Sequence, residues 1–278
     1  MIVLMGFPED SVIQSYAGYL HQQGLTKGVY LIDLHQIGAN VFIDSEGFYD
    51  ASGRLAHRDI SAVYNRFFRH PEQKLSGDLE EQFRRLHYCL DYEYPVVVNR
   101  PLAGLHNFSK LWQICALADC GLNTIPSEVF VNLGHWRENH IIKSISAHRS
   151  VCKHYHGGKV CEPVLIQPNY GQHNIRVHCI GNKVFSQSIV TEDLDYRYSR
   201  HNHWQYVNLP DDIEQAISSL TVRLGLDFIG VDLLLHEGKY YVLEVNPSPG
   251  YAFFESQMSE PLISQALTQH LGVDRRQL

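Results

Sequence analysis

Apolar and polar positions along the chain follow two alternating periods. "MIVLM" is a short continuous apolar run, which predicts a buried first strand. From Pro8 to Gly24, Val12, Ile13, Tyr16 and Leu20 fall on one helical face, and Gly24 supplies a stop. "GVYLI", "NVFID", "ISAVYNRFF" and "YPVVVN" read as further strands. Asp78–Tyr92 reads as a helix capped by Asp78, with Leu79, Phe83, Leu86 and Leu90 at helical spacing. The first third therefore predicts a small α/β unit.

Ser109–Gly121 predicts a second strong helix, ended by Gly121 with Pro126 beyond. "SEVFV", "HIIKS", "EPVLIQ", "NIRVHCI" and "KVFSQSIV" are strand-like, and Gly181-Asn182 predicts a tight turn between the last two. Thr191–His203 is polar, aromatic and basic and reads as a long loop. Asp211–Gly225 is helical, with Ile213, Ile217, Leu220 and Leu224 inward. Ser259–Leu271 reads as a closing helix with Ser259 as cap and Pro261 near its start.

"FIGVDLLLHEGKYYVLEVNPSPGY" predicts a β-hairpin whose apolar runs are interrupted by Asp232, Glu244 and Asn246. Side chains alternate faces along a strand, so register decides which groups meet. A two-residue turn Glu237-Gly238 pairs Leu235 with Tyr240 and turns Asp232 away from Glu244. A three-residue turn His236-Glu237-Gly238 pairs Leu235 with Lys239. It collects Gly230, Asp232, Val242, Glu244 and Asn246 on one face and leaves Val231, Leu233, Tyr241, Leu243 and Val245 on the other. We expect the second register. Two neighbouring carboxylates repel unless a cation lies between them. A hard divalent ion such as Mg²⁺, held by carboxylates and substrate phosphates, meets that need, and Asn246 adds a neutral oxygen. A solvated face with scattered acids is the alternative.

Composition narrows the class. Apolar residues make up 44% and charged residues 19%, the profile of a globular protein. The 23 Lys and Arg against 30 Asp and Glu argue against a general nucleic-acid binder. No apolar run reaches the roughly 20 residues of a membrane span, so a cytoplasmic location is expected. Cys89, Cys115, Cys120, Cys152, Cys161 and Cys179 form no C-x-x-C pair and read as buried reduced thiols.

Phosphates held on a metal require cations nearby. Lys110 opens a helix, and Lys143 ends an apolar strand, where an ammonium is awkward unless it meets an anion or snorkels to solvent. The following "SISAHRS" offers Ser144, Ser146 and Arg149 as a flap over phosphates. Arg176 and Arg197 lie among apolar and aromatic positions where an arginine is usually paired, and either could bind an internal carboxylate. In "LIQPNYG", Pro168 breaks a strand and bares a C=O followed by an N–H, the pair an adenine edge reads.

These stretches, with "FSKLWQICALADCGLNTIP", "IIKSISAHRS", "VLIQPNYGQHNIRVHCIGNKVFSQSI" and "LDYRYSRHNHW", resemble the ATP-grasp superfamily, in its ribosomal-protein glutamate ligase-like (RimK-like) branch. The resemblance implies an ATP-grasp fold of α/β and α+β parts: a preceding α/β domain at 1–105, a central subdomain at 106–165, and a C-terminal subdomain with the metal site at 166–278. It implies Lys110, Lys143, Ser146 and Arg149 on the phosphates and Gln167, Pro168, Asn169 and Tyr170 at the adenine. It also implies Arg176 and Arg197 at the γ-phosphate and acyl group, and Asp232, Glu244 and Asn246 on one or two Mg²⁺, with Mn²⁺ as a substitute. Gln167-Pro168-Asn169-Tyr170 departs from the family's usual Gln-Glu-Tyr-Ile, and Asn174 stands where Asp is common. The implied activity joins a small-molecule or peptide carboxylate to an amine through an acyl phosphate, with a homodimer as the plausible assembly. A kinase-type phosphotransferase, a nucleotide-binding regulator and a metal-dependent hydrolase are the rival readings.

Overall fold

A computed structural model describes residues 1–68, 75, 77–130, 138–145, 152–154, 156, 163–171, 173–191 and 202–273. It divides into two compact units. One comprises Met1–Gly104, Leu226–Phe228 and Ser248–Leu278; the other comprises Leu105–Gly225 and Ile229–Pro247.

The first unit starts with strand β1 (Ile2–Gly6) and helix α1 (Ser11–Gln22). The Asp10 side chain caps α1 by accepting the Val12 N–H at 2.8 Å, and Val12, Ile13, Tyr16 and Leu20 face inward as the spacing predicts. Strand β2 (Val29–Asp33) follows. Next comes a three-stranded antiparallel sheet, β3 (Phe42–Ile43), β4 (Gly47–Asp50) and β5 (Gly53–Ala56), and then β6 (Ala62–Asn65), α2 (Gly77–Tyr88) and β7 (Val96–Val98). The main sheet is parallel, in the order β2-β1-β6-β7. Val3, Met5, Val63 and Val97 on these strands pack with Phe83, Leu86 and Leu90. Helix α2 begins at Gly77, so Asp78 lies inside its first turn instead of capping it.

The second unit holds α3 (Lys110–Asp119), β8 (Glu128–Phe130), β9 (His140–Ser144), β10 (Cys152–His154), β11 (Val164–Pro168), β12 (His173–Ile180), β13 (Lys183–Thr191), β14 (Asn202–Tyr206), α4 (Asp211–Leu224), β15 (Phe228–His236) and β16 (Lys239–Asn246). Ser109 caps α3 through the Trp112 N–H. Gly225 ends α4 in the left-handed conformation with φ 65°, where a side chain would be strained. Two sheets form, in the orders β10-β9-β11-β8 and β14-β13-β12-β15-β16. β12 and β13 meet at Ile180↔Lys183 across Gly181-Asn182, as expected. β14 occupies the end of the segment read as a loop; its "NHWQY" pattern lacks the apolar alternation that marks a strand.

The chain then returns to the first unit with α5 (Ala252–Glu255) and α6 (Leu262–His270). Helix α6 starts at Leu262 after Pro261, three residues past the expected Ser259 cap. Two polar clamps seat the returning segments. The Asn99 carboxamide oxygen accepts the Asp227 and Phe228 N–H groups at 2.8 and 3.0 Å. Arg66 donates to Ser248 Oγ and the Pro249 carbonyl at 2.7 and 3.0 Å while pairing with Asp10.

Among the described residues no helix is long and apolar enough to cross a membrane. Cys89 and Cys179 are buried free thiols, but Cys115 is exposed and Cys120 and Cys152 are half-buried. The expectation that all six are buried fails where a helix turns Cys115 outward; Cys161 lies outside the described residues.

Candidate functional site

The hairpin of β15 and β16 brings Asp232 directly opposite Glu244 and Gly230 opposite Asn246. The route differs from the expected one. The turn is the two-residue Glu237-Gly238, with φ 48° and 75°, which joins the paired His236 and Lys239. Leu235 therefore pairs with Tyr240. A bulge then places Asp232↔Glu244 next to Leu233↔Val242, leaving Leu243 as the extra residue. That insertion reverses the parity of β16 midway. Val242 joins Val231, Leu233 and Val245 on the apolar face, and Tyr241 moves to the face of Asp232.

Carboxylates directly opposite one another repel. Here each meets a cation. Arg176 on β12 is buried, and its Nη1 reaches both Asp232 oxygens at 2.9 and 2.8 Å. Lys110, the first residue of α3, places Nζ 3.2 Å from Glu244 Oε2. Arg176 also points Nε at His178 Nε2 at 3.4 Å. Lys143 on β9 stands opposite Leu165 and Cys152 in its sheet. Burial lowers its pKa most; Lys110 lowers it further, while Cys152, Glu244 and Asp232 act to raise it.

Lys110 and Lys143 line one pocket with Gln113, Leu165, Gln167 and Leu243. Gln167 is 5% exposed, and its orientation follows from hydrogen-bond logic. Ser127 Oγ donates its one proton to the Ile125 carbonyl at 2.7 Å, so toward Gln167 it can only accept. The Gln167 amide nitrogen donates to it at 2.7 Å, which leaves the buried Oε1 without a protein partner. Gln167 thus presents an acceptor.

The rest of the expected adenine segment is more engaged. The Asn169 N–H donates to the Asn139 carbonyl at 2.8 Å, so it is not the free donor that Pro168 led us to expect. Pro168 pairs with His140 at the end of β11. Tyr170 stacks on His236, centroids 4.4 Å apart and 7° from parallel, and meets Tyr241 edge-on. Ser146, Arg149 and Arg197 lie outside the described residues.

Sequence reasoning missed Gln113. Its amide accepts the Val245 N–H at 3.2 Å and donates to the Val245 carbonyl at 2.8 Å, and to His106 Nδ1 at 3.0 Å. A polar residue within a helix carries no signal of such a role in a single sequence.

Two carboxylates and one amide oxygen on one strand face suit a hard divalent cation. Cations already hold both acids at close range, so the face tolerates the pairing without an added ion.

Residues 160–267 match the family model of the RimK-like ATP-grasp domain. A probable alpha-L-glutamate ligase of Haemophilus influenzae (strain PittEE) is 34% identical over 88 residues. That match covers 31% of this chain and spans only 30% of the curated relative. Among solved structures, the ATP-grasp ligase PsnB complexed with minimal precursor superposes with TM-score 0.75 at 20% identity, covering 97% of this chain and 98% of that one. PsnB is also known with a precursor variant, Mg and ADP. The macrocyclase MdnC bound with precursor peptide MdnA, from Microcystis aeruginosa MRC, gives TM-score 0.75 at 18% identity over 98% and 99% of the two chains. The chain has the fold of the ATP-grasp ligases, and its residues 160–267 are similar to the RimK-like ATP-grasp domain.

Proposed function

We propose that the protein is an ATP-dependent carboxylate–amine ligase. The observation that carries this reading is the Asp232–Glu244 pair with Arg176 on one acid and Lys110 on the other, beside a pocket lined by Lys110 and Lys143. Its described residues offer charge and orientation, which is what phosphoryl transfer needs.

In the proposed reaction a substrate carboxylate oxygen attacks the γ-phosphorus of ATP. The bond to the β–γ bridging oxygen breaks and ADP leaves. An amine then attacks the acyl carbon of the acyl phosphate, loses a proton, and expels inorganic phosphate as the C–N bond forms. Lys110 and Lys143 bind nucleotide phosphates, and Arg176 orients Asp232 and stabilises charge on the transferring group, a role that Arg197 would share. Gln167, with Pro168, Asn169 and Tyr170 around it, faces the base; Ser146 and Arg149 would cover the phosphates. Asp232, Glu244 and Asn246 would hold Mg²⁺, one or two ions with Mn²⁺ as a working substitute, which neutralises phosphate charge when bound.

The ATP-grasp neighbours that hold precursor peptides favour a peptide as one substrate, with a small-molecule acid or amine as the other choice. We read the protein as a cytoplasmic homodimer organised in the three parts 1–105, 106–165 and 166–278. A carboxylate substrate labelled with ¹⁸O tests the chemistry: one label should appear in the released phosphate. Label retained wholly in the amide and the unreacted acid would exclude the acyl phosphate.

A further inference from the structure

β16 is the edge strand of its sheet, and it carries two of the three oxygen donors assigned above. Edge strands expose backbone groups and are easily displaced. The outer edge of this one is covered by substitutes for a neighbouring strand. Near the turn, the Asn123 carbonyl accepts the Val242 N–H at 2.9 Å, and the Asn123 amide donates to the Tyr240 carbonyl at 3.1 Å. Beyond the bulge, the Gln113 side chain takes over and bonds both backbone groups of Val245. Val245 lies between Glu244 and Asn246. Gln113 lies one turn along α3 from Lys110, which pairs with Glu244.

Both N–H groups of the Gln113 amide are committed, and its oxygen accepts one bond. One N–H goes to Val245, the other to His106 Nδ1, and the oxygen accepts from Val245. A ring nitrogen that accepts must be unprotonated, which fixes His106 as the neutral tautomer with its proton on Nε2. Burial supports that state by pushing the His106 pKa down to about 4. His106 also stacks on Trp112, centroids 5.6 Å apart, so the ring is held from a second side.

We propose that Gln113, oriented by neutral His106, is a positioning residue. It clasps Val245 so that Glu244 and Asn246 hold their register toward the metal and toward Lys110. The proposal rests on the ligase reading of the site, and it assigns α3 a second task besides presenting Lys110. Gln113 also lines the pocket of Lys110 and Lys143, but its amide is turned to Val245 and His106, so it acts through the strand.

The test measures metal binding directly. The full chain is titrated with Mn²⁺ in the presence of a non-hydrolysable ATP analogue and followed by electron paramagnetic resonance. Affinity for the analogue alone is measured without metal. Gln113→Met keeps the volume and removes the hydrogen bonds. We expect Mn²⁺ affinity to fall about tenfold or more, as for other residues that hold metal ligands in place, and by a larger factor than the metal-free analogue affinity. Mn²⁺ affinity within about twofold of wild type in folded Gln113→Met would overturn the proposal. Should that variant not fold, Gln113→Glu serves. It keeps the acceptor and loses the donors until its carboxyl is protonated, so its Mn²⁺ affinity relative to wild type should rise as pH falls from 8 to 6; a flat ratio would overturn the proposal. His106→Asn, whose amide oxygen replaces Nδ1 as acceptor, should keep more Mn²⁺ affinity than His106→Phe; equal losses in the two would count against it. Wild-type protein that binds no Mn²⁺ with the analogue would remove the ligase reading itself.

Discussion

Asp232 faces Glu244 across the hairpin because Leu243 is an extra residue in β16. The bulge, not the turn, sets the polar face. Deleting Leu243 puts Glu244 directly after Val242, opposite Asp232 in a regular ladder, so both acids stay on one face. We expect the deleted chain to keep its Mn²⁺ affinity with the ATP analogue within about threefold of wild type, checked by the same resonance titration. A loss of about tenfold or more would show that the site needs the bulge itself and not only the pairing.

Arg176 and Asp232 form a buried ion pair joining β12 to β15. Removing the cation leaves a carboxylate in a poorly solvated place. Arg176→Met should lower the unfolding free energy by about 3 kcal/mol in denaturant melts, the usual cost of breaking a buried pair by deleting one partner. A loss below about 1 kcal/mol would mean that solvent reaches Asp232 freely.

Lys143 has a folded-state pKa below its ordinary value because of burial. The unfolded chain therefore binds more protons between the lowered pKa and about 10.4, so this group makes stability rise with pH across that window. A bound polyphosphate favours the ammonium and should draw a proton onto Lys143. Calorimetric titration of the ATP analogue at alkaline pH, in buffers of different ionisation enthalpy, should show net proton uptake that Lys143→Met abolishes. Proton uptake persisting in Lys143→Met would assign it elsewhere.

Ser127 turns the Gln167 acceptor away from itself. An amino group on the base satisfies that oxygen; a carbonyl at the same place opposes it. We expect ATP to bind about tenfold to a hundredfold more tightly than GTP, from the cost of a buried unmatched acceptor. Ser127→Ala frees the amide to rotate and should narrow the ratio. An unaltered ratio would remove Ser127 from nucleotide selection.

Much of this arrangement was legible in the sequence. The face of α1, the first residue of α3, the Gly181-Asn182 turn and the grouping of Asp232, Glu244 and Asn246 all follow from period and local chemistry. The hairpin register did not. Periodicity assumes regular strands, and a one-residue bulge leaves no compositional mark beside Leu243. The β4–β5 hairpin at Gly47–Ala56 was missed because its strands are only four residues each. The contacts of Gln113 with Val245 and of Asn99 with Asp227 and Phe228 join residues more than a hundred positions apart. One sequence shows each partner but not that they meet.

The reading as a ligase turns on whether ATP is consumed for an acid and an amine together. The direct measurement is ADP release by the full chain with ATP and Mg²⁺, screened against carboxylates including peptides, with and without an amine, beside Glu244→Gln. We predict that amide product and ADP appear at equal rates only when both substrates are present, and that Glu244→Gln, with an unchanged melting temperature, releases ADP at least about a hundredfold more slowly. ADP released equally with no carboxylate and no amine, or by Glu244→Gln at the wild-type rate, would contradict it.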